Sequence, residues 1–202
     1  DLTYSAKSKY SGKVAIPKEV TYMERTRKVT SIGQDAFQEC FDLTSVTIPT
    51  TVKSIGLEAF AGCTSLTSVK IPSSVKTIGE SAFTQCYGLS SVTIANGVTS
   101  IGKWAFANAA MKTVTIPNSV TTIGDWAFLD CQKLKTIKFG TGVTTVGKDP
   151  FQGCTALKNI YVSDCAAWCN IDFDLPEGSG FRSWDEPANP LHLFINNVEV
   201  KI

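Results

Sequence analysis

The residues best suited to chemistry are seven cysteines, one histidine and scattered carboxylates. A closed zinc site takes about four N or S ligands, and acid–base or triad mechanisms lean on histidine. His192 is the only histidine, and it lies between Leu191 and Leu193 in a stretch that reads as a strand, a structural place. No Gly-x-Ser-x-Gly turn, phosphate-cradling glycine loop, His-Glu-x-x-His motif or calcium loop occurs. Asp172 with Asp174, and Asp185 with Glu186, could in principle flank a scissile bond. They fall in an irregular tail and read as solvated loop charges. No Asn-x-Ser/Thr glycosylation acceptor is present. The expectation is a chain with no catalytic residues, no metal site and no cofactor.

Cys40, Cys63, Cys86, Cys131 and Cys154 share one position of an internal repeat. They are therefore expected as a buried ladder of free thiols, packing as small hydrophobes. Cys165 and Cys169 lie four apart and could meet on one helical turn, where a disulfide or metal site is the lesser alternative.

The elements that position these residues come from that repeat. Val-x-x-Ile-Gly-x-x-Ala-Phe starts at Val29, Val52, Val75, Val98, Val120 and Val143, at spacings of 23, 23, 23, 22 and 23 residues. The second copy is the cleanest: Val52, Ile55, Gly56, Ala59, Phe60, Cys63, Leu66, Val69, Ile71 and Pro72. Leu66-x-x-Val69-x-Ile71 predicts a short strand, and Pro72, which cannot donate to a ladder, ends it. Gly56 is expected to permit a sharp turn, and Ala59 to be small because the next coil lies close. One such unit cannot bury its apolar face alone, so the coils must stack. Stacking predicts an aromatic spine of Phe37, Phe60, Phe83, Phe106, Phe128 and Phe151, with coils about 4.7–5 Å apart.

Composition agrees with one continuous core: 43% of the 202 residues are hydrophobic. Nineteen Lys and Arg against eighteen Asp and Glu leave a net charge of +1, which argues against a nucleic-acid or anionic-membrane surface. No stretch approaches the roughly 18 apolar residues of a membrane span.

The order of Leu, Val, Ile-Pro, Ile-Gly, Ala-Phe and Cys at this spacing closely resembles the 23-residue leucine-rich repeat of bacterial BspA-like surface proteins. Tyr10-Ser11-Gly12-Lys13-Val14-Ala15-Ile16-Pro17 and Val20-Thr21-Tyr22 resemble that family too, with a hairpin expected around Glu24 to Thr26. The resemblance implies a β-rich leucine-rich-repeat solenoid, a curved right-handed coil with an irregular C-terminal cap containing a β-hairpin. It also implies an extracellular or cell-surface protein in adhesion or ligand binding, and not catalysis. The expected division is a cap and partial repeat over 1–28, six repeats over 29–164, and a cap or linker hairpin over 165–202. The terminal Val200-x-Ile202 has the form of a repeat strand before its proline, so the native chain is expected to continue.

Two surfaces could meet a ligand. Strand residues flanking each inward Val form a long outward sheet: Ser45, Thr47, Ser68, Lys70, Ser91, Thr93, Thr113, Thr115, Thr136, Lys138, Asn159 and Tyr161. Hydroxyls also simply suit an exposed β surface; Lys70, Lys138 and Tyr161 are its candidate contacts. The sharper feature is the position two before the spine Phe. It is Asp35, Glu58, Ser81 and Asp149 in four repeats, but Trp104 and Trp126 in repeats four and five. Those rings should lie side by side on the surface, as a contact site or as cover for the shortened loop at Ala109–Ala110. Trp168 and Trp184 read as packing for the cap. Repeat four is one residue short, with Ala109 at the Cys place and Met111 at the Leu place, which predicts a local change in curvature. The function expected is a non-catalytic adhesion or binding protein, expected as a monomer. Its partner would be a protein or glycan ligand on host matrix or another cell; the alternative is a structural spacer.

Overall fold

The structure, a computed structural model, describes residues 10–173 and 192–200. Strand β1 (Gly12–Ala15) precedes the hairpin strands β2 (Glu19–Tyr22) and β3 (Arg25–Lys28). Each repeat then supplies one two-residue strand and one longer strand. These are β4 (Ser31–Ile32) and β5 (Leu43–Thr47), then β6 (Ser54–Ile55) and β7 (Ser68–Ile71), then β8 (Thr77–Ile78) and β9 (Ser91–Ile94). They continue as β10 (Ser100–Ile101) and β11 (Thr113–Thr115), β12 (Thr122–Ile123) and β13 (Thr136–Phe139), and β14 (Thr145–Val146) and β15 (Asn159–Val162). Helix α1 (Cys165–Cys169), β16 (Asp172–Phe173), β17 (His192–Ile195) and β18 (Val198–Val200) follow.

The coils stack as a β-solenoid of about six turns. The two-residue strands form one seven-stranded parallel ladder from β4 to β16. Equivalent residues pair in register, Ser31 with Ser54 and Ile55 with Ile78. Opposite it, the longer strands point Val and Ile inward and Ser, Thr and Lys outward; β7 reads exposed, buried, exposed, buried and stops before Pro72. The spine stacks as the repeat demands. Successive rings from Phe37 to Phe151 lie 5.0 to 5.5 Å apart and within 13° of parallel. Tyr10 closes one end against Phe37 at 4.8 Å. At the other end Trp168 meets Phe139 edge-on at 5.1 Å.

The five ladder cysteines are buried and free. Four thiols donate to a spine carbonyl of the preceding coil: Cys63 to Phe37, Cys86 to Phe60, Cys131 to Phe106 and Cys154 to Phe128, at 3.0 to 3.2 Å. Burial pushes the Cys63 thiol up to about 12.

Four expectations need correction or completion. First, Gly56 is not in the left-handed region. Its role is close approach: a Cβ there would sit 2.8 Å from the Gln34 nitrogen and the Gly33 carbonyl carbon. The same holds coil after coil, with Gly102 2.7 Å from the Gly79 carbonyl carbon. Second, the N-terminal hairpin turns at Met23 and Glu24, both at positive φ, while Thr26 is already paired with Thr21. A two-residue hairpin turn needs positive φ at both central positions to match the strand twist. Third, the outward sheet is not continuous. It divides into a four-stranded part ending at β9 and a five-stranded part beginning at β11. Repeat four lacks one residue between the Ala109 and Met111 positions, just before β11, and no ladder joins β11 to β9. Ser119 spans the neighbouring turn instead, accepting from the Gly97 N–H at 2.7 Å and donating to the Val98 carbonyl at 2.6 Å. Fourth, β17 is more than a hairpin strand. It pairs in parallel with β15, Asn159 to His192 and Val162 to Ile195, and so adds a strand to the solenoid. Asp174, Trp184, Asp185, Glu186 and Ile202 lie outside the described residues.

The glycine row yields a paired prediction. Gly102→Ala should cost about 1–3 kcal/mol or more, because its Cβ meets backbone that cannot move aside. Gly33 has no atom within 4 Å of its Cβ position, so Gly33→Ala should be neutral or gain about 0.4–1 kcal/mol. Urea unfolding of both variants measures the difference.

Candidate functional site

Trp104 and Trp126 stand in the turn that follows β10 and β12. Backbone bonds between coils fix their register. The Trp104 N–H donates to the Asp125 carbonyl at 3.0 Å, the Trp126 N–H to Lys148 at 2.9 Å, and the Ser81 N–H to Lys103 at 2.8 Å. The turn forces every residue of this row into the left-handed region. Asp35, Glu58, Ser81, Trp104, Trp126 and Asp149 have φ between 46° and 55°. Aspartate tolerates that conformation; a bulky residue there is an outlier.

The two indole rings stack 5.4 Å apart and 12° from parallel, and both are half-buried. The Lys103 ammonium lies 4.0 Å from the Trp104 centroid and 5.0 Å from that of Trp126. With the centroids only 5.4 Å apart, the ammonium serves both rings. Lys148 approaches Trp126 at 5.7 Å. Magnitudes decide how to read this cluster. Left-handed backbone costs a residue with a Cβ roughly 1–2 kcal/mol, so two tryptophans cost about 2–4 kcal/mol. An aromatic pair returns about 0.5–1.5 kcal/mol and an exposed cation–π contact about 0.5–1 kcal/mol. Burial of the two half-buried indoles adds to that return, and the left-handed turn is common to all six repeats, so unfolding of variants separates contact from cover.

A second cluster lies on the outward sheet. Lys138, Tyr161 and Phe194 occupy successive positions across β13, β15 and β17. Tyr161 and Phe194 stack at 4.6 Å and 11°, with the Lys138 ammonium 5.7 Å from the Tyr161 ring. His192, beside Asn159 in register, bonds through Nδ1 to Glu199 on β18. Thus the structure joins Trp104 to Trp126 and Lys138 to Tyr161. It leaves Lys70 apart, between Thr47 and Thr93 on the four-stranded sheet. Sequence reasoning missed Lys103, Lys148 and Phe194. The signal for Phe194 was present: His-Leu-Phe-Ile repeats the polar–apolar–aromatic–apolar order of Asn159-Ile160-Tyr161-Val162. Among the described residues, no group of three or more His, Cys, Asp or Glu is placed to hold a metal ion. No described helix is long and apolar enough to cross a membrane.

Residues 13–132, more than half of the chain, match the family described as BspA type leucine rich repeat region, in six copies. The chain belongs to the BspA-type leucine-rich-repeat family. Solved structures agree with the assignment. A leucine-rich repeat protein from Bacteroides ovatus ATCC 8483 is 36% identical with a TM-score of 0.70, over 87% of this chain and 51% of that one. The T. pallidum leucine-rich repeat protein is 30% identical with a TM-score of 0.69, over 73% of this chain and 68% of that one. This BspA-type chain therefore spans about half the length of the B. ovatus structure. No curated protein matches it.

If the tryptophan pair is held for contact and not for stability, Trp104→Asn with Trp126→Asn should cost less than about 1 kcal/mol, since asparagine accepts positive φ. Thermal or urea unfolding checks this. A loss of about 3 kcal/mol or more, the size of a core Trp truncation, would make the pair structural cover.

Proposed function

We propose that this BspA-type chain is a non-catalytic binding module of a bacterial surface or secreted adhesin. Its contact site is the Trp104–Trp126 stack with Lys103, and its ligand is a protein or glycan on host matrix or a partner cell. One observation carries the reading. Two adjacent repeats place stacked, half-buried tryptophans beside a lysine at a left-handed turn position that the other four repeats fill with Asp, Glu or Ser. Paired aromatics with a basic side chain are typical contact anchors. The Lys138–Tyr161–Phe194 group is a subsidiary contact on the outward sheet, and Lys70 contributes least because it stands alone. The module acts as a monomer and needs no cofactor.

A spacer role is the second reading, favoured by the chain spanning about half of its B. ovatus relative. A glycan and matrix-protein array probed with the purified chain and with Trp104→Ala/Trp126→Ala separates them. The binding reading expects a hit reduced at least tenfold in the double variant. A hit unchanged in that variant moves the site to the sheet cluster, and a blank array with folded protein favours the spacer.

A further inference from the structure

The seven cysteines divide into two chemical classes. Five are buried in the ladder. Cys165 and Cys169 are exposed, on successive turns of α1, with their sulfurs 4.0 Å apart. The helix that carries them is five residues long and has no buried residue. Its start is held by Asp164, whose carboxylate accepts from the Ala166 and Ala167 N–H groups at 2.8 and 3.1 Å. Its end is already irregular, with the Asn170 N–H shared between the Ala166 and Ala167 carbonyls at 3.2 and 3.3 Å. Both flanking strands are fixed in ladders, β15 against β13 and β16 against β14.

We propose that Cys165 and Cys169 form a reversible intrachain disulfide, a redox-modified staple on the turn that closes the C-terminal end of the solenoid. The sulfurs must approach from 4.0 Å to a bond length of about 2.05 Å. A regular helix holds the Cβ atoms of residues four apart at about 5–6 Å, whereas a disulfide wants about 3.5–4.5 Å. Closure therefore tightens this turn. A five-residue helix with no buried side chain and an irregular last turn can yield, whereas a long packed helix could not.

The oxidant is a low-molecular-weight disulfide such as oxidised glutathione. One cysteine thiolate attacks a glutathione sulfur, the glutathione S–S bond breaks and one glutathione thiolate leaves. The second cysteine gives up its proton and attacks the mixed disulfide, releasing the second glutathione. Two protein thiols are oxidised, one glutathione disulfide is reduced to two thiols, and the leaving thiolates take up the two protons. The hydrogen bond between Cys165 and Cys169 holds the Cys165 thiol above its ordinary range, so the reaction speeds as pH rises. Trp168 stands between the two cysteines and rests on Phe139, so the staple would hold the aromatic that ends the core. The ladder thiols stay out of the exchange, being buried and held as thiols.

The test uses the whole chain, incubated natively with oxidised glutathione at about pH 8.5, near the ordinary thiol pKa. The expected product is about 2 Da lighter, with one cross-link joining Cys165 to Cys169 and five of the seven thiols still titrating after denaturation. Cys165→Ser should instead accumulate a single glutathione adduct on Cys169, because the resolving thiol is gone. Three results would overturn the proposal: an unchanged mass, stable glutathione adducts on both cysteines of the unsubstituted chain, or disulfide-linked dimers in place of the internal bond.

Discussion

The structure depends on how closely one coil can approach the next. Gly56, Gly79, Gly102, Gly124 and Gly147 each lie with the position of a missing Cβ within about 3 Å of the preceding coil's backbone. That contact sets the stack near one β-ladder spacing, and everything with a period of one coil inherits it. The spine phenylalanines come face to face at 5.0 to 5.5 Å. Alanines at 59, 82, 105 and 127 disappear from the surface. Thiols reach the carbonyl of the coil before them. A larger side chain in the glycine row would separate the coils and loosen each of these contacts together, because none of them stands on a single coil.

The same spacing explains the candidate site. Any side chain repeated at one position is presented about 5 Å from its copy, close enough for two indoles to stack and for one lysine to serve both. The left-handed turn that carries them recurs in all six repeats. Three repeats fill it with Asp or Ser, and one with Glu. Repeats four and five carry tryptophan there, and repeat four is also where the second part of the outward sheet begins, at β11. The solenoid is thus regular in its core and individual on its surface, as a repeat scaffold used for recognition would be.

Much of this was legible in the residues. The spine, the thiol ladder, the inward Val and Ile and the pairing of Trp104 with Trp126 follow from the period alone, since register in a solenoid is set by sequence spacing. Other features were hidden for physical reasons. Glycine's role at position 56 was misread because an absent side chain looks the same whether it permits a turn or a close approach. The break between β9 and β11 is a matter of backbone hydrogen bonding, which hydrophobic spacing does not report. The membership of β17 in the ladder was obscured because 33 residues, not 23, separate His192 from Asn159. Lys103 stands beside Trp104 in the chain, but its reach to Trp126 as well depends on the stacking of the coils.

The measurement that tests this account most directly is disulfide cross-linking in a chain carrying both Trp104→Cys and Trp126→Cys. The register that stacks the two rings 5.4 Å apart puts these positions one ladder spacing apart, about 4.7–4.9 Å, and Cα atoms about 4.4–6.8 Å apart can be bridged. Mild oxidation of the folded chain should join the two introduced thiols, as peptide mapping reads, whereas a chain with Trp104→Cys and Asp149→Cys, two coils apart, should not close. A folded chain in which the first pair stays reduced while the second closes would contradict the coil register on which the fold and the site both rest.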